Sequence, residues 1–201
     1  MTAPRASRPL ARLGREECGA TAVEFAIIAP VLLLILLGVF DVGFNLYVTS
    51  VLDGATQKAA RDSTIEGAET QGLAIDDAVT KAVHGVVPGA TLTFDRRAYR
   101  DYADVSQPED FTDIDGDGAC DNGEPFEDAN GNGVWDSDRG ADNMGGARDA
   151  VLYTVTASYP RVFPLMHLLG FSSIVSNQTQ TVLRNQPYGN QDTTVTIGHC
   201  T

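Results

Sequence analysis

The chain has 201 residues, enough for one domain with appendages, and a formal net charge of −13 at pH 7. An acid excess of that size excludes nucleic-acid binding, which needs a basic footprint for the phosphate backbone. Three cysteines, Cys18, Cys120 and Cys200, with no C-x-x-C pair, exclude the common zinc and thioredoxin-like patterns.

Residues 1–15 carry Arg5, Arg8, Arg12 and Arg15 and no acid. An apolar run follows, in which Glu24 is the one charge between Ala20 and Phe40. As a helix this run is about 31 Å long, close to the ~30 Å hydrocarbon core of a bilayer. The positive-inside rule keeps the arginines in the cytoplasm and places the C-terminal domain outside it. A cleaved secretory signal fits less well, because the run is longer than a usual apolar signal core and no small-x-small site follows Gly38. Pro30 lies inside the run, where it removes one backbone bond and predicts a kink. Beyond the run, Val48, Leu52, Ala55 and Ala59 recur at helical spacing. That narrow seam either covers the chain's own domain or meets other subunits.

Gly67 to Gly72 breaks the helix. Leu73 to Val87 predicts a second amphipathic helix, with Ile75, Val79, Ala82, Val83 and Val86 apolar, stopped by Pro88-Gly89. Ala90 to Phe94 alternates as a strand does. Ala150 to Tyr159 and Ser173 to Leu183 predict two more strands, and Val162 to Leu169 is a short apolar segment between them. The expected fold class is α+β: an N-terminal transmembrane helix extends into a small ectodomain of two helices and a mainly antiparallel sheet, with an acidic insert. The expected boundaries are a basic leader at 1–19, the transmembrane and extended helix at 20–67, a helix and first strand at 68–100, the acidic insert at 101–149 and the closing strands at 150–201.

Residues 101–138 hold thirteen Asp or Glu and no Lys or Arg. A solvated acidic loop would account for the charge, but the spacing is specific. Asp113, Asp115, Asp117, Asp121 and Glu124 stand at positions 1, 3, 5, 9 and 12 of a calcium loop. Gly118 is at the sharp turn of position 6, and the carbonyl of Ala119 serves position 7. Fifteen residues on, Asp128, Asn130, Asn132, Gly133, Val134 and Asp136 repeat the series. Arg139 stands where the second loop needs its closing Glu. That site is therefore expected to be weaker, or to borrow Asp138 or an acid of the first loop. Trp135 and Phe126 are expected to pack the two loops together. Pro108 and Pro125 argue against flanking helices. The pair is similar to the helix-poor calcium loops of dockerin and thrombospondin type-3 repeats, which implies structural calcium.

The stretch Gly19-x-x-x-x-Glu24-Phe25, set between a basic leader and an apolar helix, resembles the processing site of type IV prepilins. With Ala22-Val-Glu-Phe-Ala-Ile-Ile-Ala-Pro30, Gly38-Val-Phe-Asp-Val-Gly43 and Ala59-Ala-Arg61, it resembles the TadE-like (TadE/TadG) family of tight-adherence minor pseudopilins. The resemblance spans roughly residues 12–67 and, more loosely, the closing Arg184-x-x-Pro187-Tyr188. It implies a bacterial pilus-assembly component in the cytoplasmic membrane, with membrane lipid and other pseudopilins or pilus-assembly proteins as partners. It also implies a prepilin peptidase that cuts after Gly19. Ala20 would then begin the mature chain, with its new amine about one helical turn from Glu24. Such a cut would remove Cys18 and leave Cys120 and Cys200, either bridged or as two thiols. The alternative is an unprocessed, membrane-anchored calcium-binding adhesion or recognition domain. His84, His167 and His199 stand alone, and there is no G-x-S-x-G and no Walker loop, so no enzyme is expected.

Overall fold

The computed structural model describes residues 18–63, 72–163, 170–185, 190–191 and 194–201. The arginine-rich leader, nearly all of the break between the two helices, most of the apolar segment after Val162 and the Pro187-Tyr188 end lie outside the described residues. The chain divides into two units, residues 1–44 with 162–173 and residues 45–161 with 174–201.

The first unit contains the N-terminal part of helix α1, Cys18–Ser63. Most of its apolar side chains are exposed, among them Phe25, Ile27, Ile28, Val31, Leu33, Ile35, Val39 and Phe40. The helix is continuous through Pro30. A proline costs one hydrogen bond, and the uninterrupted apolar sequence on both sides gives the helix no other reason to end.

The second unit is built on a three-stranded antiparallel sheet in the order β1-β3-β4. β1 is Thr91–Tyr99, β3 is Ala150–Pro160 and β4 is Ile174–Arg184. β3 is central, and its β-branched and aromatic composition suits burial on both faces. Tyr153, Val155, Ala157 and Tyr159 are buried on one face, where period-2 alternation puts them together. Two helices cover that face. The C-terminal half of α1 buries Val48, Leu52, Thr56, Ala59 and Ala60, and Tyr159 donates to Asn45 Oδ1 at 2.8 Å. Helix α2, Gly72–His84, buries Ile75, Val79 and Val83. The apolar seam read from the sequence is thus an intramolecular packing face, with Thr56 and Ala60 in it rather than Ala55.

One polar clamp fixes α2 to the sheet. Asp76 accepts from both guanidinium nitrogens of Arg96, one at 3.1 Å, and from the Tyr153 hydroxyl at 2.7 Å. The Arg96 guanidinium also stacks over the Tyr153 ring, 4.4 Å from its centroid. Burial, followed by the Asp76 carboxylate, pushes the Tyr153 hydroxyl well above the ordinary tyrosine range. It therefore remains a neutral donor throughout the physiological range.

The insert occupies the connection between β1 and β3. It opens with a 3-10 turn at Tyr102–Asp104 and contains β2, Pro125–Asp128. β2 pairs antiparallel with the C-terminal strand β5, Thr196–His199, in a separate two-stranded sheet. Neither of these short strands is signalled by sequence alternation. Gly198 sits under the Phe126 ring, where a Cβ would come within 2.3 Å of it.

The clamp generates a stability prediction. Replacing Asp76 with Ala strands Arg96, whose side chain is only 16% exposed. The expected loss is about 3 kcal/mol in urea unfolding followed by Trp135 fluorescence. Leu73→Ala on the same helix, at a side chain that is 83% exposed, should change stability by less than about 0.5 kcal/mol.

Candidate functional site

The acidic insert folds as two loops of the same construction. In the first, Asp113 accepts from Gly116 N–H at 2.6 Å and Gly118 N–H at 3.0 Å. In the second, Asp128 accepts from Gly131 N–H at 2.8 Å and Gly133 N–H at 3.0 Å. Asp115 and Asn130 each accept from the N–H two residues on, at 3.2 and 3.1 Å. Asp117 and Asn132 do the same, at 2.8 and 2.7 Å. Gly118 and Gly133 both have φ near +80° at the sharp turn, a conformation that disfavours any side chain. The fifteen-residue repeat is therefore a repeat of backbone geometry as well as of residue type.

The side-chain oxygens of Asp113, Asp115 and Asp117 lie within 4.8 Å of one another. Asp121 Oδ1 accepts from Asn122 Nδ2 at 2.6 Å. Desolvation, then the charges of Asp117, Asp115 and Glu124, raise the Asp121 carboxyl above the ordinary range. In the second loop Asp136 accepts from the Asn130 and Asn132 amides at 2.8 and 2.6 Å. Ala119 and Val134 occupy the position-7 places in the two turns.

Glu124 closes the first loop. It is buried, with 2% exposure, and accepts from Ile114 N–H at position 2 and from Asp121 N–H at position 9. The second loop has an equivalent that its own sequence does not contain. Glu109, also 2% exposed, accepts from Ala129 N–H at 2.8 Å and Asp136 N–H at 3.0 Å, which are again positions 2 and 9. Glu109 lies upstream of both loops, so a search forward from Asp128 could not find it. Its one sequence signal is the pairing of an acid with Pro108, ahead of the first loop.

Asp138, which the second loop was expected to borrow, and Arg139, which stands at its closing position, have other partners. Asp138 pairs with Arg97 at 2.8 Å and accepts from the Tyr99 hydroxyl at 2.9 Å. Burial and Asp138 together raise the Tyr99 hydroxyl above its usual range. Arg139 turns back to Asp110 at 2.8 Å and Asp104 at 3.4 Å and donates to the Pro108 carbonyl, holding the Glu109 segment in place. The ring contact between the loops also differs from expectation. Trp135 packs edge-on against Phe111, with centroids 5.8 Å apart, and donates to the Glu109 carbonyl. Phe126 instead is paired through the backbone with Phe111 and lies against Gly198.

Cys120, at position 8 of the first loop, is bonded to Cys200, with Cα atoms 5.4 Å apart across a separation of 80 residues. Backbone bonds from Gly123 N–H to the Cys200 carbonyl and from Cys200 N–H to the Glu124 carbonyl flank the bridge. The C-terminus is thereby attached next to the buried Glu124.

At the other candidate site, Gly19 and Ala20 lie in the first turn of α1, and the exposed Glu24 and Phe25 lie in the next. From Thr21 onward α1 is long and apolar enough to cross a membrane, with a mean hydropathy of 2.7 in its most apolar window, and none of that window is buried.

The acid cluster has a measurable cost in the absence of metal. The raised Asp121 pKa means that the unfolded chain releases that proton more readily, so ionised Asp121 opposes folding above its folded pKa and the penalty is relieved as pH falls. In EDTA, Asp121→Asn should raise Tm at pH 7, and the gain should vanish on acidification through the carboxylate range. An unchanged Tm at both pH values would contradict this.

Residues 19–61 match the sequence profile of the TadE-like protein family. No curated protein and no solved structure matches the chain. The match covers nearly all of α1 and stops before α2 and the acidic loops, so the similarity to that family lies in α1.

Proposed function

We propose that this chain is a membrane-anchored component of a tight-adherence pilus assembly, a minor pseudopilin whose extracytoplasmic domain is folded around two calcium ions. The TadE-like helix supports the pilus context, and its exposed apolar surface supports insertion in lipid beside other pseudopilins or pilus-assembly proteins. On this reading the helix is inserted in the bacterial cytoplasmic membrane with its N-terminus inside. A prepilin peptidase would cut after Gly19, and Glu24 would meet the amine of Ala20 of its own or a neighbouring chain.

One observation carries the calcium assignment. Glu109 and Glu124 are buried carboxylates, and no described Lys, Arg or His side chain forms an ion pair with either. Two backbone N–H donors each do not neutralise a buried charge. Each carboxylate closes a loop whose remaining oxygens have calcium-type spacing, and a divalent cation in each loop would supply the missing charge. The first site would use Asp113, Asp115, Asp117, the Ala119 carbonyl, Asp121 and Glu124. The second would use Asp128, Asn130, Asn132, the Val134 carbonyl, Asp136 and Glu109. With two amides in place of carboxylates, the second would bind more weakly. Calcium here is structural, since nothing in the loops resembles a sensor's helix pair.

The loops lie outside the TadE-like match, and that favours a second reading: an unprocessed anchor that carries a calcium-dependent adhesion domain. Two experiments separate the parts. Calorimetric titration of the full chain in detergent should show two calcium ions bound. Glu109→Gln and Glu124→Gln should each leave one, and Asp138→Asn should leave both. No uptake by the wild type would sink the calcium assignment. The N-terminal mass of the native membrane protein should correspond to a chain starting at Ala20, and Glu24→Ala should block assembly without releasing the protein from the membrane. A retained Met1 or Thr2, with assembly unaffected by Glu24→Ala, would move the conclusion to the unprocessed anchor.

A further inference from the structure

The bridge between Cys120 and Cys200 is set into the first acidic loop rather than beside it. Cys120 stands between Ala119 and Asp121, the position-7 and position-9 residues of that loop. Its partner also holds the closing residue. Cys200 N–H donates to the Glu124 carbonyl at 2.8 Å, and Gly123 N–H donates to the Cys200 carbonyl at 3.0 Å. The strand leading to Cys200 then pairs with the strand leaving Glu124, with His199 opposite Pro125. The second loop is held from the other edge of β2. Thr112 N–H donates to the Pro125 carbonyl at 2.9 Å, Glu127 N–H donates to the Asp110 carbonyl at 2.8 Å, and Phe111 bridges to Phe126. These bonds carry the segment of Glu109, which closes that loop, and none of them involves Cys200.

We infer that this disulfide regulates the first loop alone: the closed bond raises calcium affinity there, and calcium bound there protects the bond from reduction. The inference rests on the calcium reading above. Its ground is chain entropy. With the bond open, only weak bonds close the 80-residue separation and keep the end of the chain on β2. Ordering Ala119, Asp121 and Glu124 around an ion then costs more, and affinity falls. Linkage makes the effect reciprocal, so the factor the bond adds to calcium affinity is the factor calcium adds to the stability of the bond. The approach for a reductant is through the half-buried Cys120, since Cys200 is only 6% exposed. A thiolate of a dithiol attacks Cys120 Sγ, and Cys200 leaves as a thiolate that takes up the proton the reductant gave up. The second thiol of the reductant then displaces Cys120, leaving two cysteine thiols and one oxidised dithiol.

The test uses the full chain in detergent, with Cys18→Ser to remove the third thiol. Glu109→Gln isolates the first loop and Glu124→Gln isolates the second. Calcium titrations compare each variant with its bridge intact and after reduction by dithiothreitol. The expected result is about a tenfold loss of affinity on reduction in Glu109→Gln and less than about a threefold loss in Glu124→Gln. In the reverse direction, saturating calcium should slow reduction by dithiothreitol about tenfold in Glu109→Gln and leave it unchanged in Glu124→Gln. Unchanged affinity on reduction of Glu109→Gln would overturn the inference while leaving the calcium assignment intact. Equal losses in the two variants would also overturn it, because the bridge would then be a general support of the fold. No calcium uptake by the oxidised wild type would remove the calcium assignment, and this inference with it.

Discussion

The burial of two carboxylates, Glu109 and Glu124, is the constraint on which the acidic insert depends. A buried carboxylate without a counter-charge costs more than two hydrogen bonds return. Much of the insert's construction holds these two groups in place despite that cost. Arg139 draws Asp104, Asp110 and the Pro108 carbonyl together around the Glu109 segment. Trp135 reaches across to the Glu109 carbonyl, and the Cys120–Cys200 bridge and β5 enclose Glu124. The insert's cationic contacts sit at the periphery of the acidic cluster rather than at its two closing residues. On the calcium reading proposed above, the charge at each loop centre is supplied from outside.

The same chain solves a different problem in α1. One continuous helix meets two environments, and its side chains change accordingly. Before Asn45 most of the apolar residues are exposed, and they lie on all sides of the helix. From Val48 they narrow to one seam of small and aliphatic residues that the sheet covers. A helix apolar all round has no preferred face for a protein core, which suits a lipid environment. A seam has one, and here it is occupied by the chain's own β-sheet.

Much of this arrangement was legible in the sequence, and what was not has physical reasons. The long strands β3 and β4, the helix over Ile75 to Val83 and the fifteen-residue loop repeat all follow from periodicity, because each is repeated often enough to outweigh local noise. For β1 the alternation reaches only to Phe94, because Asp95-Arg96-Arg97 breaks the apolar pattern. Those charges are accommodated by Asp76 on α2 and Asp138 in the insert, partners 20 and 41 residues away. β2 and β5 are four residues each and exist through pairing with one another, which a single segment cannot announce. The role of Glu109 is hidden for the same reason. Its role is defined by two N–H groups 20 and 27 residues downstream, so its function is a property of the fold and not of its neighbours in sequence.

The position of the insert explains how so acidic a segment coexists with a regular sheet. β1 and β3 are paired to their ends, with Tyr99 opposite Ala150, so the fifty residues between them leave and return at adjacent points. Closing a loop of that length costs only slightly more than closing a short one, since the entropy grows with the logarithm of length. The register of β1 with β3 therefore need not change when the connection grows. What the added residues require is internal order of their own. They obtain it from β2 paired with β5, from the disulfide to Cys200 and from the two closed acidic loops. The first two of these link the insert to the C-terminal end of the chain rather than to the sheet core. The insert also holds the sheet directly, through the backbone bonds of Ala98 with Ala141 and the pairing of Arg97 and Tyr99 with Asp138, so the order of its loops and that of the end of β1 are linked.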